Sequence, residues 1–244
     1  MRTIAVIPAR YASTRFPGKA LALIAGRPMI QHVWDRVTQC RGLDAVLVAT
    51  DDGRIADVCT ALGMDVEMTS TLHETGTDRL AEVATRRPAD IYVNVQGDEP
   101  LIDPAAIDAV AQCLADAIPR GIGVSTAYIE GATPEQEAST SSVHLVPTLD
   151  GCVLSFSRLP IPCAFQHDYT RTIHVGLYAF TGPALAAFAA RSRGPVERAE
   201  NIELMRYLEY GDRIACVPIK PGSIGVDRPG DVQLVEAALE RQRR

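Results

Sequence analysis

Apolar runs of strand length alternate with segments of helical periodicity through the first half of the chain. The predicted strands are 3–9, 44–50, 65–69, 90–97 and 121–129. The predicted helices between them are 28–41, 53–62, 77–87 and 104–116. Pro28 and Pro104 begin two of these helices and Gly63 follows a third, as helix boundaries favour. This alternation predicts a mostly parallel sheet with helices on both faces.

The pattern changes after about residue 140. The runs "SVHLVP", "CVLSFSR" and "TIHVGLYAF" predict strands with short links, which suit antiparallel pairing. Helices at 183–191 and 196–210, a strand "RIACVPI" and a last helix from about 229 complete the pattern. We therefore predict an α/β fold with a small antiparallel β insertion, divided into a core at 1–140, the insertion at 141–182 and the rest of the core at 183–244.

Composition narrows the class of protein. The chain has 244 residues, 47% of them hydrophobic, with a formal charge of −6 and a pI near 5.4. These values fit one globular domain and argue against a nucleic-acid surface. No apolar run approaches the roughly 20 residues of a membrane span and no leader pattern opens the chain, so we expect a cytoplasmic protein without a membrane partner. The six cysteines form no C-x-x-C pair and are expected to be buried free thiols.

A cationic loop follows the first strand in this acidic chain. The stretch "VIPARYASTRFPGK" carries Arg10, Arg15 and Lys19, and in an open α/β sheet such a loop faces the ligand crevice. It is not a Walker loop, because Ala20 follows Lys19, and the chain has no G-x-G-x-x-G. We predict that backbone N–H groups and the three cations bind phosphates. The alternative is a set of solvated surface cations.

Two aspartates follow glycine-containing segments far apart in the chain. Asp98 lies in "NVQGDEP" at the end of a predicted strand, and Asp227 lies in "GVDRPGD". Mg²⁺ typically uses one or two carboxylates together with substrate phosphates, so the pair predicts a metal–nucleotide site. The alternative for Asp98 is a turn residue that caps the next helix.

A third segment, "TGTDRLAEV", opens an amphipathic helix with small and polar residues. Thr75, Gly76, Thr77 and Arg79 at such a helix start suit a contact with a base or a phosphate. An ordinary helix cap at Thr77 explains the same spacing.

These segments together resemble the bacterial 3-deoxy-manno-octulosonate (Kdo) cytidylyltransferases, the CMP-Kdo synthetases. The resemblance covers nearly the whole chain in order. It rests on "IPARYASTRFPGKALALIAGRPMI", "VATDDGRI", "TGTDRLAEV", "VNVQGDEPLI", "FSRLPIP", "HVGLYAF" and "GVDRPGD". It implies a Rossmann-like nucleotidyltransferase fold, a homodimer, and an Mg²⁺-dependent transfer of CMP from CTP to an acceptor with release of pyrophosphate.

The resemblance also implies roles for individual residues. The residues implied to be catalytic are Arg10, Arg15, Lys19 and Asp98. Those implied to bind CTP are Pro8, Ala9, Arg10, Ser13, Arg15, Lys19, Thr77, Arg79, Gln96 and Asp98, all in the 1–140 core. Those implied to bind the acceptor are Gln96, Arg158, His174, Tyr178 and Glu203, with the 141–182 insertion serving acceptor binding and dimerisation. The residues implied to bind Mg²⁺ are Asp98 and Asp227.

The acceptor half departs from that family. Where Kdo synthetases carry "NPN" this chain has "STSSVHLV", and the segment "CAFQHDYTRTI" is shorter than theirs. Ile173 replaces an arginine and Leu204 replaces a glutamine, which removes hydrogen-bond partners that a polyhydroxylated sugar needs. We therefore predict a smaller anionic acceptor, such as the phosphonoformate used by relatives in phosphonate pathways, bound through Arg158 and His174.

Two alternatives remain beside the small anionic acceptor. One is Kdo itself, with the sugar pocket rebuilt from other residues. The other is a non-catalytic nucleotide-binding module. The module should have lost a metal carboxylate or a phosphate cation, yet Asp98, Asp227 and the three cations of the loop are all present.

Overall fold

The computed structural model describes residues 1–13 and 15–242; Thr14 of the cationic loop and the last two residues of the predicted 183–244 segment lie outside that range. The strands are β1 Thr3–Ala9, β2 Leu23–Ile24, β3 Arg27–Pro28, β4 Ala45–Thr50, β5 Val66–Met68, β6 Ile91–Val95, β7 Val124–Glu130, β8 His144–Pro147, β9 Val153–Ser157, β10 Thr172–Thr181 and β11 Ala215–Pro218. The α-helices are α1 Met29–Val37, α2 Gly53–Ala61, α3 Gly76–Arg86, α4 Pro104–Ala117, α5 Pro134–Ala138, α6 Gly182–Ala190, α7 Pro195–Glu200, α8 Met205–Glu209 and α9 Asp231–Gln242.

The main sheet follows the strand order β11-β7-β10-β6-β1-β4-β5. β1 pairs in parallel with both β4 and β6, β4 pairs in parallel with β5, and β11 pairs in parallel with β7. β10 runs antiparallel between β6 and β7. The predicted α/β fold is confirmed. The carboxyl ends of β1 and β6, which lie side by side, define the edge where a ligand is expected.

The sheet is covered on both faces, and β1 is apolar from Ile4 to Ala9. Ile4 and Val6 pack into one core cluster with α3 and α6, whereas Ala5 and Ile7 pack into a second cluster with α1 and α4. Alternate residues of a strand point to opposite faces, so the two clusters lie on opposite sides of the sheet. This double burial holds the loop that follows β1 on a rigid support.

The segment 141–182 contributes both a small antiparallel extension and a strand of the main sheet. β8 pairs with β9 and with the start of β10. The later part of β10 pairs with β6 in the middle of the main sheet. The division at residues 141 and 182 remains a prediction. Dimerisation through this segment also remains a prediction. The structural observation that supports it is a set of exposed apolar side chains in the segment: Leu154, Leu159 and Phe165.

Two local expectations are wrong. The predicted helix over 196–210 is two short helices, α7 and α8, because Asn201 between them adopts a left-handed conformation with φ 52° and ψ 48°. The cysteines are free, as expected, but Cys163 is exposed rather than buried. Among the described residues, no helix combines the length and the apolar character that crossing a membrane requires.

Candidate active site

A cleft of about 410 Å³ lies at the carboxyl ends of β1 and β6. This volume falls within the range of small-molecule sites. The predicted site residues that line it are Pro8, Ala9, Arg10, Ser13, Arg15, Lys19, Arg79, Gln96, Asp98, Arg158, His174, Tyr178, Glu203 and Asp227. Residues from both ends of the chain and from its middle therefore meet in one cavity. Of the predicted set, Thr77 alone does not line the cleft.

The loops after β1 and β6 approach each other at Gly97. A Cβ atom on Gly97 would lie 2.8 Å from the backbone oxygen of Pro8, a distance that real Cβ atoms essentially never show. Gly97 therefore permits a backbone contact that any side chain would prevent. The contact brings Asp98, the next residue, up to the cationic loop.

Lys19 connects the cationic loop to both predicted metal carboxylates. Its Nζ donates to Asp98 Oδ2 and to the backbone oxygen of Val226 (3.3 Å), and it lies 3.7 Å from Asp227 Oδ1. Arg15 Nη1 lies 3.1 Å from the other oxygen of Asp227. Two carboxylates that are far apart in the sequence thus converge on one ammonium group. This convergence agrees with the sequence prediction that Asp98 and Asp227 share a site.

The donor set fits Mg²⁺. Two carboxylates that converge on an ammonium ion present oxygen ligands to one position, and Mg²⁺ is bound by one or two carboxylates with water and phosphate oxygens as the remaining ligands. Within residues 1–13 and 15–242, no cluster of three or more histidine, cysteine, aspartate or glutamate side chains could hold a metal by itself. Asp98 and Asp227 therefore suit a metal that arrives with a nucleotide, and the metal itself remains a prediction.

Glu99 is a neighbour of this charge centre that the sequence reasoning did not assign. Burial raises the pKa of Glu99 to about 7, and the nearby carboxylates of Asp98 and Asp227 act in the same direction. Ser223 Oγ donates a hydrogen bond to the Glu99 carboxylate, which lowers the pKa. The signal in the sequence that could have identified Glu99 is its position in "GDEP", directly after Asp98.

The start of α3 forms the opposite wall of the cleft. Thr75 is the N-cap residue: its Oγ1 accepts from Asp78 N (3.1 Å), and Asp78 Oδ2 accepts from Thr75 N (3.0 Å). The alternative of an ordinary helix cap at Thr77 therefore places the cap two residues too late. Thr77 is fully buried and its Oγ1 has no hydrogen-bond partner among the described residues. Gly76 remains at the cleft surface.

Arg79 lines the cleft, and residues outside the cleft hold its guanidinium group. Its Nη2 donates to Asp51 Oδ2 (2.9 Å) and its Nη1 donates to Thr69 Oγ1. The side chain is buried, so its charge is neutralised by Asp51 rather than by solvent. Arg79 is thus fixed in position before any nucleotide binds, which agrees with a contact to the base.

Arg158 on the acceptor side holds the turn between α7 and α8. Its Nη2 donates to the backbone oxygen of Asn201 (3.2 Å), its Nη1 donates to that of Thr140 (2.8 Å), and its Nε donates to that of Glu200. Each Nη carries two N–H groups and uses one of them here, so a donor on each remains for a ligand.

His174 and Tyr178 lie on β10 near a β-bulge. The strand changes register between Val175 and Tyr178, and bulges near active sites redirect side chains. The rings of His174 and Tyr178 are stacked with centroids 5.6 Å apart, and His174 Nε2 lies 2.9 Å from Thr126 Oγ1. Burial lowers the pKa of His174 to about 3 and raises the pKa of Tyr178 well above its usual value. A neutral ring contacts an acceptor through hydrogen bonds or packing rather than through charge, and acceptor binding by His174 remains a prediction.

We expect His174 to make the protein less stable in mild acid. The neutral ring is favoured in the folded state, whereas the unfolded chain takes up a proton below about pH 6.5. The free energy of unfolding should therefore be about 2 kcal/mol lower at pH 5 than at pH 7 on account of this residue. Urea-induced unfolding at the two pH values should show a smaller loss in His174→Gln than in the wild type. His167→Gln, at an exposed histidine, is the control, and an unchanged loss in His174→Gln would contradict the assignment.

Glu203 completes the acceptor side. Burial raises the pKa of Glu203, and the Thr77 and Thr75 hydroxyls, which lie near its carboxyl group without donating to Oε2, act in the opposite direction. Glu203 Oε2 is buried without a hydrogen-bond partner among the described residues. A buried acceptor without a partner is costly, so a ligand that donates a hydrogen bond to Glu203 gains binding energy.

The two substitutions that suggested a different acceptor lie outside the cleft. Leu204 is fully buried in the core cluster that contains α3 and α6. Ile173 is buried in β10, where it pairs with Ile129 of β7 and His144 of β8. Neither residue lines the cleft. The inference that they remove sugar contacts therefore has no support in the structure.

Comparison with known proteins agrees with this geometry. The sequence pattern of the family described as "Cytidylyltransferase" matches residues 4–214. The chain is 48% identical to the 3-deoxy-manno-octulosonate cytidylyltransferase of Geobacter metallireducens, over 99% of each chain, and 46% identical to that of Myxococcus xanthus, over 98% of this chain and 96% of the relative. The solved structure of a CMP:2-keto-3-deoxy-manno-octonic acid synthetase complexed with CTP is 37% identical and superposes with a TM-score of 0.94 over 99% of this chain and 100% of that chain. The chain belongs to the CMP-Kdo synthetase family of cytidylyltransferases and is a CTP-dependent nucleotidyltransferase.

Proposed function

We propose that this enzyme transfers CMP from CTP to Kdo in an Mg²⁺-dependent reaction that releases pyrophosphate. The observation that carries the proposal is the single cleft in which the cationic loop, the Asp98–Asp227 pair and the acceptor-side residues meet. The names of its relatives agree, since two that are 48% and 46% identical to the chain, over 99% and 96% of their own lengths, are Kdo cytidylyltransferases.

Kdo is a better-supported acceptor than phosphonoformate. The smaller acceptor was inferred from Ile173 and Leu204, and both are buried away from the cleft. The acceptor side retains Gln96, Arg158 and Glu203, which offer an amide, a guanidinium and a carboxylate to a ligand. A sugar acid with one carboxylate and several hydroxyl groups suits that mixture of donors and acceptors.

The reaction joins an acceptor hydroxyl oxygen to the α-phosphorus of CTP. The bond from that phosphorus to the bridging oxygen breaks, the electron pair leaves with pyrophosphate, and the hydroxyl proton is released. Catalysis of such a transfer depends mainly on positioning and on stabilisation of phosphate charge. Arg10, Arg15 and Lys19 line the cleft as the groups that supply this charge.

Asp98 and Asp227 are the residues that we propose bind the metal. An Mg²⁺ ion held by these carboxylates would neutralise phosphate oxygens and reduce the repulsion between the triphosphate and an approaching nucleophile. Lys19 and Arg15, which contact the carboxylates in this structure, are then available to the phosphates. Kdo would place its carboxylate at the unused donors of Arg158 and a hydroxyl at Glu203.

Pyrophosphate release with two acceptors tests the proposal. Purified protein with Mg²⁺ and CTP should release pyrophosphate when Kdo is added and only at background level with phosphonoformate. The matched control replaces CTP with ATP at the same Mg²⁺ concentration, which should abolish release with Kdo. Release with phosphonoformate alone would show that the acceptor is the smaller anion, and release with neither would refute both assignments.

A further inference from the structure

Arg193 lies in the wall of the cleft, between α6 and α7, and its guanidinium contacts three separate parts of the chain. Nε donates to Glu197 Oε1 in α7 (3.2 Å), and Nη2 donates to Asn201 Oδ1 (3.1 Å). Nη1 lies 3.5 Å from Glu74 Oε2, in the loop before α3 on the other side of the cleft. One planar group thus connects elements that come from distant parts of the sequence.

Asn201 is the contact of Arg193 that bears on the acceptor. Its backbone adopts a positive φ of 52°, which is uncommon for a residue with a Cβ atom. Its backbone oxygen accepts from Arg158, and Glu203 follows two residues later. The conformation of this one residue therefore sets where two acceptor-side groups lie.

We propose that Arg193 is a positioning residue for the acceptor half of the site. By holding the Asn201 side chain against Glu197, it fixes the turn that presents Glu203 and supports Arg158. The inference rests on the proposed function in one respect, because that function assigns this side of the cleft to the acceptor.

The exposed fractions of the side chains that Arg193 contacts indicate which contact contributes most to holding the Asn201 turn. The Glu74 side chain is 71% exposed, and ion pairs in solvent contribute little. Glu197, by contrast, has a fully buried side chain. The loop before α3 also has its own support, since Glu82 Oε2 accepts from Ser70 N (2.8 Å). Loss of Arg193 should therefore disturb the Asn201 turn more than the nucleotide side.

Arg193 is unsuited to be the cation that binds the acceptor. Its charge is already met by the carboxylates of Glu197 and Glu74, whereas the guanidinium of Arg158 donates to backbone oxygens and keeps its charge for a ligand. A lysine has one nitrogen on a flexible chain and does not reproduce this fork. We expect Arg193→Lys to behave like Arg193→Ala rather than to restore the wild type.

Steady-state pyrophosphate release with saturating CTP and Mg²⁺ tests the role. Arg193→Ala should raise the KM for Kdo about tenfold, while kcat and the Kd for CTP change less than about threefold. Asn201→Gly keeps the backbone conformation and removes the contact with Arg193, so it should raise the KM as well. The double variant should raise the KM no further than Arg193→Ala alone.

Arg191→Ala is the matched control. Arg191 lies two residues away, pairs with Asp212, stacks on Tyr210 and does not line the cleft. An equal rise in KM in Arg191→Ala, a KM within twofold of wild type in Arg193→Ala, or additive effects in the double variant would each overturn the proposal.

A second measurement separates this inference from the proposed function. If the wild type releases no pyrophosphate with Kdo, the proposed function fails and amide hydrogen exchange tests Arg193. Asn201 N donates to the backbone oxygen of Glu197 (2.8 Å), so the amides of residues 197–203 should exchange faster in Arg193→Ala than in Arg191→Ala. Equal exchange in the two variants would overturn the role of Arg193.

Discussion

Pyrophosphate release falls at least about a thousandfold when Asp98 is replaced with asparagine, under the proposed Mg²⁺-dependent reaction. Within residues 1–13 and 15–242, the carboxylates of Asp98 and Asp227 are the two that converge on Lys19. An amide in place of Asp98 removes a negative charge that a divalent cation requires and leaves Asp227 as the remaining carboxylate. A thousandfold loss corresponds to about 4 kcal/mol of transition-state stabilisation, which one metal ligand in a phosphoryl-transfer site supplies.

Asp103→Asn is the control for Asp98→Asn. Asp103 caps α4 five residues later, where its Oδ1 accepts from Ala105 N (3.0 Å), and asparagine caps helices about as well as aspartate. Turnover in this variant should stay within about threefold of wild type. If Asp98→Asn retains more than a tenth of wild-type turnover at saturating Mg²⁺, the metal assignment is wrong.

Replacement of Arg206 with methionine should lower the free energy of unfolding by about 3–5 kcal/mol. Arg206 donates to both oxygens of Glu197, at 2.8 and 2.6 Å, and to the backbone oxygen of Phe188 at 2.9 Å. The Glu197 side chain is 0% exposed and that of Arg206 only 5%. Removal of one partner leaves a buried carboxylate with Arg193 as its remaining cation. Thermal or urea-induced unfolding measures the change.

Arg27→Met provides the comparison at the surface. Arg27 pairs with Asp35, and both side chains are more than 40% exposed. Exposed pairs contribute between 0 and about 1 kcal/mol, so this variant should unfold nearly as the wild type does. Equal destabilisation by Arg27→Met and Arg206→Met would show that burial of the Glu197–Arg206 pair adds nothing to stability.

The predicted fold succeeds where local pattern determines structure. β1 is apolar from Ile4 to Ala9, and its double burial follows from that run alone. The position of β10 does not follow in this way, because its pairing with β6 joins residues 82 to 90 positions apart. The break at Asn201 also escapes periodicity, since apolar positions continue at helical spacing on both sides of it.

The site could be predicted where charged residues follow a predicted strand. Asp98 and Lys19 follow apolar strands at the sheet edge where ligands bind, so their position follows from topology. The interpretation of Leu204 as a lost sugar contact has no support in the structure, because a change of polarity in the sequence does not show which way a side chain faces. Arg193 was missed although its contacts with Glu197 and Asn201 are close in sequence, because nothing in the sequence shows that the link between α6 and α7 directs its side chain into the cleft.

The antiparallel direction of β10 has a consequence for how this enzyme type diversifies. The parallel strands reach the cleft at their ends, whereas β10 reaches it at its beginning, directly after the segment that departs most from the family. Residues 159–173 do not line the cleft, whereas Arg158 before them and His174 after them do. We therefore expect changes of length within this stretch to alter how these two residues are spaced while the Pro8–Gly97 contact stays in place. Acceptor choice is then expected to change without a change in nucleotide choice.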